Sequence, residues 1–188
     1  MSAPFVTLAG LSYSTPDGRR LLDDLTLAFG PERTGLVGRN GVGKTTLIRL
    51  ILGELTPAAG AVAIQGRLGV LRQMVEPPPG ARAADLMGLG EPLSRLARLE
   101  AGAGDEADMA EADWALPSRL DAALARVGLA GLDPQRPVAS LSGGEATRAA
   151  LAGLLVQAPD LLILDEPTNN LDAEARALVA DVLATWRG

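Results

Sequence analysis

Cysteine and histidine are both absent from the 188 residues. The first absence excludes disulfides, thiolate metal sites and a thiol nucleophile. The second removes the imidazole base and the commonest nitrogen ligand for a metal. Aromatic residues make up only 3% of the chain, so any core must be built from Leu, Val, Ile and Ala. No apolar run reaches the roughly 20 residues that a membrane-spanning helix needs, and no N-terminal signal pattern is present. A soluble cytoplasmic domain is the expectation. Positive charge is the scarcer sign: 17 basic residues face 23 acidic ones, for a net charge of −6. That balance gives no electrostatic footprint for direct nucleic-acid binding. Lysine is scarcest of all. Lys44 is the only one, and every other basic residue is arginine.

What is present is an apolar content of 47%, enough for a real core in one domain or part of a larger one. The chain is organised around Gly38, Arg39, Asn40, Gly41, Val42, Gly43, Lys44 and Thr45, which fit the phosphate-loop pattern G-x-x-x-x-G-K-[ST]. The glycines let the backbone curl so that successive N–H groups converge on phosphate oxygens. A helix starting near Gly43 would aim its positive dipole end at the same anion. Lys44 can reach the β- and γ-phosphates, and the Thr45 hydroxyl can ligate Mg²⁺. Thr34 to Val37 reads as a short buried strand, and Thr46 to Leu52 as an apolar helix stopped by Gly53. The bland alternative, a glycine-rich turn with a chance lysine, fits that strand–loop–helix context poorly. Arginine could not replace this lysine, because a compact ammonium fits the loop where a planar fork does not.

Phe5 to Leu8 and Leu25 to Phe29 have the look of strands, joined through a turn at Thr15 to Gly18. Ala61 to Ile64 and Leu68 to Leu71 are two more, the second leading to Gln73. From Ala81 to about Val127 the pattern is helical, broken at Ala101 to Gly104 and by an acidic run from Asp105 to Asp113. That run reads as a solvated helix face or loop, not a metal site. Ser142 opens a helix running to about Gln157 before Pro159. Leu161 to Leu164 is a continuous apolar run, as expected of a strand buried on both faces. It ends in Asp165 and Glu166, placed to hold Mg²⁺ and to orient and deprotonate a water, respectively. A last helix from about Ala173 keeps Ala175, Leu178, Val179, Val182, Leu183 and Trp186 on one face, which is core packing.

Leu141-Ser142-Gly143-Gly144-Glu145, followed by Leu161 through Asp172, resembles the ATP-binding cassette (ABC) family over essentially the whole chain. The resemblance implies an α/β phosphate-loop fold. It has a mostly parallel core sheet, an N-terminal antiparallel β-subdomain and a helical subdomain. Residues 1–73 and 159–188 would form the nucleotide-binding core and 74–158 the helical, signature-bearing part of a single domain spanning 1–188. The cofactors implied are ATP and Mg²⁺. Gly38, Asn40, Gly41, Gly43, Lys44, Thr45 and Thr46 would hold the nucleotide of one cassette. Ser142, Gly143 and Gly144 would touch the γ-phosphate of ATP bound to an opposing cassette. Gln73 would sense the γ-phosphate and the metal, which Thr45 and Asp165 also approach. Glu166, Lys44 and Gln73 would carry catalysis, and Asp172 would lie at the interface between cassettes. Tyr13 stands where an aromatic stacks on adenine, and it could equally be core. Ser142 and Glu145 also form a capping box, a purely structural device.

The run Asp165-Glu166-Pro167-Thr168-Asn169-Asn170-Leu171-Asp172 is similar to the ABC-F branch, as are Asp113-Trp114 and Gly35 to Gly41. Proteins of that branch carry two cassettes on one chain, and many act on the ribosome. The segment from Met74 to Glu111 is short for the long helical arm of a first cassette in that branch. The family continues with a strand bearing a switch histidine, just where this chain reaches Gly188. The expectation is therefore a cassette incomplete at its C-terminus and poorly active alone. It would need a second cassette, from a tandem domain or a homodimer. The primary reading is a soluble ABC-F-like ATPase tied to translation, with the ribosome as a partner. The alternatives are the ATP-binding subunit of a membrane transporter and a nucleotide-binding module with negligible turnover.

Overall fold

A computed structural model describes residues 4–71, 78–167 and 171–186. The described residues form two compact units. One takes the chain up to Leu68 together with Pro159–Ile163; the other takes Gly69–Ala158 and the chain from Leu164 onward.

In the first unit, β1 (Val6–Ser14) lies between β2 (Arg20–Phe29) and β3 (Ala59–Ile64) in an antiparallel sheet. Val6 faces Phe29 on one side and Ile64 on the other, and Leu8 faces Leu27 and Val62. The turn between β1 and β2 closes with Gly18 N–H on the Thr15 carbonyl at 2.8 Å. Val6, Leu8 and Leu11 of β1 pack with Leu47, Leu50 and Ile51 of α1 (Lys44–Ile51) into one buried cluster. Each such side chain taken from water stabilises the unit by about 1.5–3 kcal/mol before entropy is charged against it. Leu52 ends α1, and Gly53 follows at φ 71 with its N–H on the Leu50 carbonyl at 3.1 Å.

Both strands of the hairpin run longer than their apolar cores suggest. The sheet tolerates polar and glycine residues through register shifts between Leu8 and Leu11 and between Leu11 and Ser14. The expected strand at Thr34 to Val37 is not one. Among the described residues nothing pairs with it, Leu36 is 46% exposed and Val37 91% exposed. A short apolar segment becomes a strand only when neighbours satisfy its backbone.

β4 (Leu68–Leu71) and β5 (Leu161–Leu164) form a two-stranded sheet. Leu161 N–H donates to Arg67 at 3.1 Å, and Asp165 N–H to Leu71 at 2.9 Å. The paired numbers rise together, so the strands are parallel. β5 was expected to be buried on both faces, yet all four of its residues are partly exposed. Among the described residues β4 is the one strand paired with it.

The second unit is helical: α2 (Ala83–Leu86), α3 (Gly90–Glu100), α4 (Glu106–Ala110), α5 (Leu116–Arg126), α6 (Gly143–Gln157) and α7 (Ala173–Thr185). Met87, Leu120, Leu124, Val127, Leu151 and Val179 are among its most deeply buried residues. Gly153 of α6 lies flush on the chain at Met87; a Cβ there would fall 2.1 Å from the Met87 carbonyl oxygen, so only glycine fits. The acidic run is partly helix α4, whose buried Asp108 is gripped by Arg98 Nε at 2.9 Å and Nη2 at 2.5 Å. Among the described residues no helix is long and apolar enough to cross a membrane.

Candidate nucleotide site

The loop from Gly38 runs straight into α1. Val42 N–H bonds to the Arg39 carbonyl at 3.2 Å. Gly43 caps the helix at φ 111, ψ 11, and no side chain assists it. An added Cβ at Gly43 would have room, its nearest neighbour being Leu21 Cβ at 3.8 Å. Glycine is required there for the left-handed backbone and not for space. The first intrahelical bond is Leu47 N–H to the Gly43 carbonyl at 2.8 Å. The amides of Lys44, Thr45 and Thr46 precede it and have no acceptor among the described residues. No acid occupies the first turn. Free donors at the positive end of a helix, with no carboxylate to quench them, are the physical requirement of an anion site.

Lys44 Nζ donates to the Gly38 carbonyl at 2.7 Å and to the Arg39 carbonyl at 3.3 Å. The only ammonium side chain in the protein is thus folded back over the loop that precedes its helix. Asn40, Gly41 and Thr45 are exposed, and Thr46 is half-buried. Tyr13 pairs with Leu22 and is half-buried against the core of the first unit.

In the second unit, Asp165 follows β5 and extends its ladder by one residue. Glu166 takes φ 49, a left-handed conformation uncommon outside glycine, immediately before Pro167. Such a residue costs about 1–3 kcal/mol and persists only where its surroundings impose it. Nothing in the sequence announces it. Gln73, Thr168, Asn169 and Asn170 lie outside the described residues. Asp172 caps α7, accepting from Ala175 N–H at 2.8 Å, and Arg176 Nε reaches the Leu171 carbonyl at 2.9 Å.

The signature segment forms the capping box at the start of α6. Ser142 N–H donates to Glu145 Oε2 at 2.8 Å, and Glu145 N–H to Ser142 Oγ at 3.2 Å. The box occupies the first and fourth donors of the turn. The amides of Gly143 and Gly144 between them have no acceptor among the described residues. The Ser142 amide and hydroxyl, in that order, hold the Glu145 carboxyl below its usual range, with Arg136 and Arg148 adding to the effect.

Sequence reasoning missed the two arginines that brace this turn. Arg136 donates through Nη2 to the Ser140 carbonyl at 2.9 Å and pairs with Glu145 at 3.5 Å. Arg148 reaches the Gly144 carbonyl at 3.4 Å and the Gly128 carbonyl at 3.3 Å. Neither stands in a pattern that marks it, because their partners come from separate turns of the chain.

A glycine-started helix bearing lysine and threonine, beside an antiparallel sheet, defines a phosphate-loop nucleotide-binding domain. A family model described as "ABC transporter" matches residues 22–169, and the chain belongs to that family of ATP-binding cassettes. It is 40% identical over 200 residues to the tylosin resistance ATP-binding protein TlrC of Streptomyces fradiae, covering 92% of this chain and 36% of that one. It is 36% identical over 197 residues to the energy-dependent translational throttle protein EttA of Mycobacterium tuberculosis, covering 89% and 34%. These relatives match the ABC-F-like resemblance carried by Asp165 to Asp172. The chain thus spans about a third of the length of either. The solved ATP-binding subunit of an ABC transporter superposes with a TM-score of 0.74 at 21% identity, over 97% of this chain and 75% of that chain. The α/β cassette fold expected from the sequence agrees with that likeness.

Proposed function

We propose that this chain binds and hydrolyses ATP as one cassette of an ABC-F-like protein that works in translation in the cytoplasm. The observation that carries the nucleotide reading is the uncapped, acid-free start of α1, with Lys44 at its first position. The kinship with a translational throttle protein and a tylosin resistance protein supports the translation reading.

The amides of Gly43 to Thr46, with those of the loop from Gly38 through Asn40 and Gly41, hold the β- and γ-phosphates. Lys44 exchanges its two carbonyl partners for phosphate oxygens, and Tyr13 stacks on the base. Thr45 and Asp165 supply the hard oxygen donors that suit Mg²⁺, with Gln73 beside them. Among the described residues no group of three or more His, Cys, Asp or Glu side chains could hold a metal ion. The bound ion neutralises charge on the phosphates. Glu166 orients a water and takes its proton as the oxygen bonds to the γ-phosphorus. The bond to the bridging oxygen then breaks, and ADP departs. Ser142, Gly143 and Gly144 meet the γ-phosphate of an opposing cassette, in a tandem domain or a second copy, through the two glycine amides that the capping box leaves over.

Glu166→Gln in the whole protein tests this. ATP binding should persist while turnover falls roughly 10²–10⁴-fold, the range expected for losing a positioned base. The ATP-loaded variant should co-sediment with ribosomes. Wild-type turnover would show that another group activates the water. A second reading, the ATP-binding subunit of a transporter, is favoured by the likeness to such a subunit, which speaks for the fold alone. Co-purification with membrane-embedded subunits instead of ribosomes would select it.

A further inference from the structure

The corner between α4 and α5 carries two exposed apolar side chains that the phosphate chemistry does not use. Met109 and Trp114 are each 58% exposed. Their neighbours behave differently: Ala112 packs against the core and Leu116 is 2% exposed. Leu116 is turned into the core while Trp114, the bulkiest side chain of the corner, stays out. The corner is braced. Asp113 accepts from Ala115 N–H at 3.2 Å, its carbonyl accepts from Leu116 N–H at 3.0 Å, and its carboxylate pairs with Arg119. On the other side Arg95 ties Glu111 at 2.7 Å to Asp108 at 3.6 Å. An aromatic held outward on a fixed backbone loses little freedom on contact, which is the property of a binding anchor.

Charge indicates what covers it. Asp105, Glu106, Asp108, Glu111 and Asp113 fall between positions 105 and 113 with no basic residue among them. Arg95, Arg98 and Arg119 answer Asp108, Glu111 and Asp113, and Arg98 is also shared with Glu91 at 2.9 Å. Exposed Glu106 has no cationic partner among the described residues. The segment that carries both side chains is therefore net negative, which disfavours a phosphate backbone or an anionic bilayer and favours a cationic protein surface.

We infer that the α4–α5 corner docks a cationic amphipathic polypeptide segment of a partner protein. An apolar side chain of that segment sits on Met109 and Trp114, and its basic residues face Glu106 and the outer carboxylates. The test uses the whole chain and fluorescently labelled synthetic helical peptides of about 18 residues. One is Leu/Lys and one is Leu/Glu, with an oligouridylate RNA and phosphatidylglycerol vesicles alongside. Saturable binding of the Leu/Lys peptide alone is expected, weakening as salt rises. Trp114→Ala and Met109→Ser should each weaken it roughly tenfold, and Glu106→Lys several-fold, with ATP affinity unchanged. In a Trp186→Phe background Trp114 is the only tryptophan, and its emission should shift to the blue as the Leu/Lys peptide saturates. Equal peptide affinity in the Trp114 and Met109 variants would overturn the inference. So would equal binding of the Leu/Glu peptide, or preference for the RNA or the vesicles.

Discussion

Two helices in this molecule begin with glycines and polar residues, and their first turns are built in opposite ways. α1 starts at Gly43 with no side-chain cap and no acid, leaving three amides without an acceptor among the described residues, beside an ammonium group. α6 starts at Ser142 with a complete capping box, and a carboxylate sits inside its first turn. The first is open to an anion in its own right. The second has spent its outer donors within the box, the Ser142 amide on Glu145 and the Glu145 amide on Ser142 Oγ, and among the described residues only the Gly143 and Gly144 amides are left over. A turn already holding a carboxylate is a weak anion site alone, and two amides suffice only when a phosphate is delivered by something else. Under the proposed function, the difference in capping would separate a primary phosphate grip at α1 from an auxiliary contact at α6.

That contrast can be broken at either end. The largest effect is expected from Lys44→Ala, which removes the ammonium group at the first position of the open turn. Loss of about 3 kcal/mol of charge-assisted hydrogen bonding corresponds to roughly a 100-fold fall in ATP affinity, read by titration with a fluorescent analogue. Unchanged affinity would remove the assignment of the loop. Next comes Thr46→Glu, which gives α1 the acid that α6 carries. The helix itself should gain about 0.3–1 kcal/mol from its dipole. ATP affinity should fall about tenfold as the carboxylate opposes phosphate. If affinity holds, the missing acid is not what keeps α1 open. Ser142→Ala, at the closed end, should cost about 1 kcal/mol of stability in urea unfolding, with ATP affinity of the isolated chain unaltered.

The smallest effect is a pH dependence. The Glu145 carboxyl ordinarily titrates at 4.5, and the Ser142 bonds lower that value in the folded protein. Its contribution to stability is complete above 4.5 and is lost as pH falls through the lowered value. Asp108, held down first by Arg98, and Asp17, held down first by Thr15, lose theirs in the same acidic direction. The informative quantity is the difference between the parent and Glu145→Gln. The parent should lose its advantage over the variant on acidification below 4.5, as followed by urea midpoints across pH. A constant gap would show that the carboxylate form of Glu145 does not support the turn.

What could be read from the chain before folding followed how local the cause was. The glycine loop, its lysine and the Ser142–Glu145 box each lie within a few consecutive residues, so their types and order carry the structure. The apolar stripe of α7 was legible for the same reason: Ala175, Val179 and Val182 are all buried. Leu161 to Leu164 is the strand its apolar run announces, but its burial, like the pairing that Thr34 to Val37 lacks among the described residues, depends on what lies beside it, which composition does not encode. β1 and β2 ran past their apolar centres because cross-strand pairing, not hydrophobicity, carries Ser12 and Asp24; the Asp24 amide bonds to Ser12 Oγ at 2.9 Å. The Arg136–Glu145, Arg148–Val127 and Arg98–Asp108 contacts were invisible because they join positions 9 to 21 residues apart.

The left-handed turn of the chain at Glu166 also decides how substitutions there can be interpreted. Glutamine inherits the same backbone penalty as glutamate, so exchanging the two changes the acid and little else. Glycine relieves the penalty while deleting the acid, and a bulky β-branched side chain raises the penalty sharply. A set of replacements at this one position can therefore separate the contribution of the proposed proton acceptor from that of the twisted main chain on which it is mounted.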